Sequence, residues 1–394
     1  MRNENQDPKE RAARMPVVHA LRWDAYRIPL PASFTSAHEE LATRQGFILT
    51  LQTSEEDIIG LGECAPLPKF SGGTIEDARA SFQTLPPLIQ GQSLTAALEL
   101  VYQQVDALPT TVAYALETAL LDALGHYYHC SLGTLLALPT LAEPLTSNML
   151  ETTRTGLREQ VAINTVVGAQ TIASAGVLAL QAVTNGYTSI KLKVGADIHQ
   201  AQDLVAAVRA TIGPGPQLRL DANEAWTFEQ ARTILTACEP YNIQYVEQPL
   251  ARTDLPGMAA LRRLTSIPIA ADEVLSDLAS ARLILEAEAA DILVIKPQLA
   301  GGLRNAQQII QQATAAGIQC VITSTIESGI GVASALHLAA ASPEIQLACG
   351  LATLPMLADD LIIENLPIHQ GCMTVPTAPG LGVHLDQTAL TRYT

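Results

Sequence analysis

From about Ile163 onward, the hydrophobic positions follow a two-part rhythm. Short runs rich in β-branched residues alternate with longer Ala- and Leu-rich stretches of helical character. The short runs are INTVV (163–167), SIKLKV (189–194), QLRLD (217–221), IQYVE (243–247), IPIAAD (267–272), DILVIK (291–296), IQCVITS (318–324) and IQLACG (345–350). Between them lie stretches such as HQAQDLVAAVRATIG and GGLRNAQQIIQQATAAG, the second ending in Gly317, a good helix stop. Eight strands alternating with helices, one unit about every 25–28 residues, predict an α/β chain folded as a (β/α)8 TIM-type barrel. A doubly wound open sheet is the structural alternative. It usually carries fewer strands, and no G-x-G-x-x-G follows the first run here.

The chain before about residue 140 has a different pattern. WDAYRIPL, QGFILTLQT and DIIGLGECA read as strands of an antiparallel meander, followed by helical segments around 74–107 and 110–129. The expected organisation is a disordered tail over 1–15, an α+β capping domain over 16–140, the barrel over 141–350, and a Pro- and Gly-rich segment over 351–394 that packs back on the cap.

Composition narrows the function. Lys and Arg number 23 against 39 Asp and Glu, a net charge of −16, and such a surface repels phosphate backbones and anionic membranes. Nucleic acid and membrane are therefore not expected partners, while a small anionic substrate is compatible if cations cluster locally. The first fourteen residues are polar with no apolar h-region, and no apolar run reaches the ~18–20 residues of a membrane span, so a cytoplasmic protein is expected. The cysteines, 64, 130, 238, 320, 349 and 372, form no C-x-x-C pair and read as buried free thiols. The histidines show no metal-ligand spacing.

In a barrel, chemistry sits at the C-terminal ends of the strands. The second run ends in Lys191 and Lys193, the third in Arg219 and Asp221 with Asn223 just beyond, and the fourth in Glu247. The fifth ends in Asp272 and Glu273, the sixth in Lys296, the seventh in Ser324. Such residues are rarely buried unless paired or bound to metal. Alternation puts Lys191 with Lys193, and Arg219 with Asp221, on shared strand faces, which the apolar neighbours assign to the barrel interior. Asp221, Glu247 and Asp272 on three adjacent strands would repel one another without a cation, and a hard divalent ion such as Mg²⁺ resolves this. A structural ion-pair network is the alternative. Lys193 and Lys296 fall on opposite walls, so a substrate over the metal would lie between them. A base must be neutral, and Lys191 together with a dication would lower the pKa of Lys193. Lys191 itself reads equally as a direct participant or as the partner of a metal carboxylate.

These residues resemble a known family. KLK (191–193), DANEAW (221–226), VEQPL (246–250), AADEV (270–274) and VIKP (294–297) are similar, in order and spacing, to the muconate-lactonizing subgroup of the enolase superfamily, whose pairing of a Lys or His base with Mg²⁺ is a known pattern. Within it, GECAPLPKFS (62–71), STIESGIG (324–331), Arg219 and GLAT (350–353) look like the o-succinylbenzoate synthase family. The resemblance implies Mg²⁺ (with Mn²⁺ as a substitute) on Asp221, Glu247 and Asp272, Lys193 as base, Lys296 stabilising the developing anion, and Lys191 beside them. It implies substrate contacts from Arg219, Asn223 and Ser324. The implied reaction is dehydration of 2-succinyl-6-hydroxy-2,4-cyclohexadiene-1-carboxylate, a dicarboxylate, to 2-succinylbenzoate in menaquinone or phylloquinone biosynthesis.

Other readings stay open. An N-acylamino acid racemase or dipeptide epimerase would use Lys193 and Lys296 as a two-sided acid–base pair, although the eighth-strand loop CGLATLPML lacks the Asp-x-Asp expected of a dipeptide epimerase. A muconate-type cycloisomerase and a non-catalytic binding barrel complete the set. Glu273 is expected to face the helical layer or a partner side chain, and Trp226 to serve packing. Ser36, His38 and Arg44 fall in a candidate cap loop (33–46) over the barrel mouth.

Overall fold

The computed structural model describes residues 15–35, 40–67, 70, 72–141, 145–168 and 171–394. The N-terminal part is a three-stranded antiparallel sheet of β1 (Val18–Thr35), β2 (Glu40–Thr53) and β3 (Ile59–Cys64), in that order. The meander is thus as its alternation predicts. The expected cap loop over 33–46 is mostly strand instead, because β1 runs to Thr35 and β2 starts at Glu40. Ser36 and His38 lie outside the described residues.

The helix Thr110–Tyr128 lies across this sheet and is buried along most of its length. Its close approach depends on two glycines of β3: a Cβ at Gly60 would meet the Ala119 carbonyl oxygen at 1.9 Å, and one at Gly62 the Ala115 carbonyl oxygen at 2.1 Å.

A short strand, β4 (Gln160–Ala162), leads into a seven-stranded parallel sheet. Its strands run in chain order: β5 (Thr165–Val167), β6 (Ser189–Lys193), β7 (Gln217–Asp221), β8 (Ile243–Glu247), β9 (Ile269–Ala271), β10 (Ile292–Ile295) and β11 (Gln319–Ile322). The eighth run, 345–350, forms no regular strand. It closes the sheet through two parallel bridges, Ile163 with Cys349 and Thr323 with Gly350. The fold is a (β/α)8 barrel with an antiparallel capping layer.

Period-two alternation divides each strand between two cores. Ile190, Leu192, Leu218 and Leu220 point outward into the large core under the helices. Tyr245, Ala270, Ile292, Val294 and Val321 form a second, small cluster inside the barrel. Extending the inner register by two residues aims Glu247, Asp272 and Lys296 at the barrel axis.

After the barrel, β12 (Ile368–His369) and β13 (Cys372–Thr374) join β4 in a small antiparallel sheet. The Leu381 amide then donates to Asp122 on the Thr110–Tyr128 helix at 2.7 Å. All six cysteines are free, five of them buried. Among the described residues no helix is long and apolar enough to cross a membrane.

Candidate active site

The parallel register of β6 and β7 pairs Lys191 with Arg219 and Lys193 with Asp221, setting two layers one above the other. The upper layer is the ionic one. Lys193 Nζ lies 2.7 Å from Asp221 Oδ2 and donates to Asn223 Oδ1 at 2.6 Å. Lys191 Nζ sits between Asp221 Oδ2 at 2.9 Å and Glu247 Oε1 at 2.8 Å. On the far wall Lys296 pairs with Asp272. Apart from Arg219, the residues read from the strand ends of β6 to β10 therefore do converge at one end of the barrel.

Burial and charge compete at each group. Burial alone would lower the Lys191 ammonium, but Asp221, Glu247 and Asp272 outweigh it and hold its pKa well above the ordinary lysine value. Lys296 is raised in the same way, by Asp272 and Glu273 against burial. Glu247 is pushed up to about 7 by burial and by the charge of Asp221, against the pull of Lys191. Burial opposes ionisation of Asp221 too, but Lys191 and Lys193 prevail and hold it below the usual carboxylate range.

Four carboxylates, including Glu273, thus face three ammonium groups. Among the described residues no three His, Cys, Asp or Glu side chains already form a metal cage; lysines lie against the carboxylates instead. The donor set still fits a divalent ion. It offers buried carboxylate oxygens at the ends of three successive strands, hard donors of the kind Mg²⁺ takes, and mutual repulsion already destabilises the charged form of Glu247.

Arg219 occupies the lower layer. It is 0% exposed. Its guanidinium stacks 4.8 Å from the Tyr245 ring centroid and donates to Gln244, Asn164 and the Ala348 carbonyl. It lies two residues before Asp221 on the same face of β7. Asn223, expected as a substrate contact, bridges Lys193 to Glu273 through its two amide atoms. Glu273 thus meets a partner side chain, and burial with the charge of Asp272 raises its pKa to about 8. Ser324 shares a 2.6 Å hydrogen bond with Thr353 beside the closing bridge. Trp226 is buried, and its indole donates to the Gly195 carbonyl, a packing role. Arg44 lies in β2, not a loop. It donates to the carbonyls of Ala65, Pro66 and Ile326 and so joins the cap to the turn after β11.

Sequence reasoning missed four residues at this mouth. Phe70, from the stretch after β3, lies 5.4 Å below Lys296 Nζ, measured to the ring centroid, and 5.7 Å from the Arg252 guanidinium. Glu224 and Arg252 form an ion pair, and Gln248 accepts the Asp272 amide. Glu224 and Arg252 lie three and five residues beyond β7 and β8, and Gln248, directly after β8, carries no charge, so an inspection of charged strand ends passes over them. Phe70 carries no charge to flag it.

Comparison with known proteins agrees with this geometry. A family model described as "Enolase C-terminal domain-like" matches residues 175–389, more than half of the chain, and one described as "MenC, N-terminal domain" matches residues 20–122. The chain is similar to o-succinylbenzoate synthase of Thermobifida fusca, at 38% identity over 47% of this chain and 58% of that protein, so the match spans less than two thirds of that relative. It is also similar to L-Ala-D/L-Glu epimerase of Bacillus subtilis, at 29% identity over 90% of this chain and 93% of that one. Among solved structures, the dipeptide epimerase of Enterococcus faecalis complexed with Mg and the dipeptide L-Leu-L-Tyr superposes with a TM-score of 0.83 and 26% identity, over 93% of this chain and 99% of that one. The barrel, its paired lysines and carboxylates, and the match across more than half of its length together show that this chain belongs to the enolase superfamily.

Proposed function

We propose that the protein is a Mg²⁺-dependent lyase that dehydrates 2-succinyl-6-hydroxy-2,4-cyclohexadiene-1-carboxylate to 2-succinylbenzoate. The observation that carries the proton chemistry is the placement of Lys193 and Lys296 on opposite walls of the same barrel mouth, with buried carboxylates between them. The choice of substrate is supported by the "MenC, N-terminal domain" match over 20–122 and by the 38% relative.

Asp221, Glu247 and Asp272 would hold the metal ion. Bound there, it supplies Lewis-acid stabilisation of the negative charge that develops on the substrate carboxylate. Lys193, as the neutral amine, removes the proton α to that carboxylate. Lys296 faces the developing charge from the other wall as a cation. Protonated Lys193 then gives the same proton to the leaving hydroxyl, which departs as water from the same face. The new ring double bond completes an aromatic ring, which drives the loss. Lys191 lies against Asp221 and Glu247 and favours their ionised forms, and the lysines together suit a dicarboxylate within an otherwise acidic molecule.

A second reading has its own observation. Two lysines facing each other across a site can exchange an α-proton from either face, and the epimerase relative matches over 90% of this chain. Incubating the purified protein with Mg²⁺ and the cyclohexadiene substrate, and following aromatic product by ultraviolet absorbance, tests the first reading. Incubation with an N-succinylamino acid in D₂O, read as α-proton exchange, tests the second. Exchange without dehydration would replace the lyase by the racemase.

A further inference from the structure

In the turns after β7 and β8 three residues other than glycine adopt left-handed backbone: Asn223 at φ 43°, Glu224 at φ 64° and Gln248 at φ 39°. Two of these are consecutive, in the turn directly after Asp221. Such a turn persists only where its surroundings over-determine it.

The restraints come from the neighbouring strand end. The Glu224 amide donates to the Gln248 carbonyl at 2.8 Å. The Glu224 carboxylate accepts from the Arg252 backbone amide at 2.6 Å, from Arg252 Nε at 3.1 Å and from Arg252 Nη2 at 2.7 Å. The pair is bidentate and largely shielded, with side-chain exposures of 6% for Glu224 and 28% for Arg252. A guanidinium fork of this kind fixes direction as well as distance.

What the turn delivers is Asn223. Its backbone amide is tied to Asp221 Oδ1 at 3.1 Å, its Nδ2 to Glu273 at 2.9 Å, and its Oδ1 lies 2.6 Å from Lys193 Nζ. An acceptor on one N–H of the lysine sets the rotation of the amine and hence the direction of its lone pair.

We propose that the Glu224–Arg252 ion pair is the positioning device for Lys193: it clamps the turn after β7 to the turn after β8 in its left-handed form, and so holds the Asn223 amide where it aims the Lys193 nitrogen. This rests on the reading of Lys193 as the base. Neither residue of the pair needs to touch substrate. Their effect reaches the reaction through Asn223.

The test compares Arg252→Met, Arg252→Lys and Glu224→Gln with wild type, in the presence of Mg²⁺, on the cyclohexadiene substrate. Misplacing a reacting group by about 1 Å costs on the order of 10²-fold. Arg252→Met and Glu224→Gln are therefore expected to lower kcat by roughly 10- to 100-fold with KM unchanged within about twofold, and Arg252→Lys to recover part of the loss. If Arg252→Met fails to fold, Glu224→Gln, a neutral isostere, decides. Unchanged kcat overturns the proposal. So does a raised KM at full kcat, which would make Arg252 a direct substrate contact. Inactive wild-type protein on both substrate classes would defeat the proposed function instead. The clamp is then judged from crystal structures, where Arg252→Met should release Asn223 from Lys193, and an unmoved turn would refute it.

Discussion

Lys193 and Asp221 face one another across adjacent strands because their Cα positions are in register. Removing the amine leaves that strand pairing, and the carboxylates, in place. Lys193→Ala is therefore expected to lower turnover by at least about 10²-fold, the scale of a lost general base, while Mg²⁺ binding by calorimetry stays close to wild type. Full activity in that variant would sink the base assignment. A different residue contributes to the acid limb of stability. His337 is fully buried, accepts from the Gly133 amide at Nδ1 and lies 3.0 Å from the Leu381 carbonyl at Nε2, contacts that define a neutral tautomer. Burial lowers its pKa to about 4, against the favourable Leu381 contact. The unfolded chain then binds a proton that the native protein does not, between the ordinary histidine value of ~6.5 and about 4. The stability this residue contributes is present above that window and is lost as pH falls through it. His337→Gln, which cannot titrate, should narrow its deficit relative to wild type as pH falls from 6.5 to 4, measured by thermal melting. A deficit independent of pH would contradict this.

Among the elements, the cap and barrel are joined by buried polar contacts rather than by apolar packing alone. Glu63, at the end of β3, accepts from Tyr26 Oη, from the amide and hydroxyl of Ser328 and from the Gly331 amide, and so caps the helix Gly329–Ala341 across the interface. Glu63→Ala strands these donors, and each buried unpaired group costs about 1–3 kcal/mol. A fall in melting temperature accompanied by weakened substrate binding is expected; an unchanged melting temperature would show that the contact is dispensable. Gly62→Ala should destabilise by overpacking, about 1–3 kcal/mol, because its Cβ would fall on the Ala115 carbonyl of the overlying helix. Denaturant unfolding checks this, and a neutral result would mean that the helix can retreat. The strands of both layers were legible because period-two alternation and β-branched runs are local signals. The eighth strand was not. IQLACG, with Ile345 as its one β-branched residue, contributes only Cys349 and Gly350 to pairing, since ladder length depends on partners that local sequence does not encode. The 33–46 segment misread in the other direction: it was expected as a cap loop, but β1 and β2 pair through Arg27–Gln45 and Ile28–Arg44.

Over the whole molecule, a net charge of −16 surrounds a mouth where Lys191, Lys193 and Lys296 converge on carboxylates. That convergence was legible because ionisable residues ending apolar strands stand out against the barrel rule. The partners of Arg219 were less legible: it shares a strand face with Asp221, but its guanidinium meets Gln244 and Asn164, side chains that local sequence does not place beside it. Chelation by EDTA should abolish activity and added Mg²⁺ restore it, with the fold unchanged by circular dichroism, since the larger hydrophobic core packs on the outer strand faces, away from the carboxylates. Activity that survives chelation would remove the metal from the account. The most direct test of proton abstraction between opposed lysines is turnover itself. Wild-type protein with Mg²⁺ and 2-succinyl-6-hydroxy-2,4-cyclohexadiene-1-carboxylate should generate the ultraviolet absorbance of 2-succinylbenzoate, and Lys193→Ala should not. Failure of the wild type to form that product, together with no α-proton exchange into N-succinylamino acids in D₂O, would contradict the account.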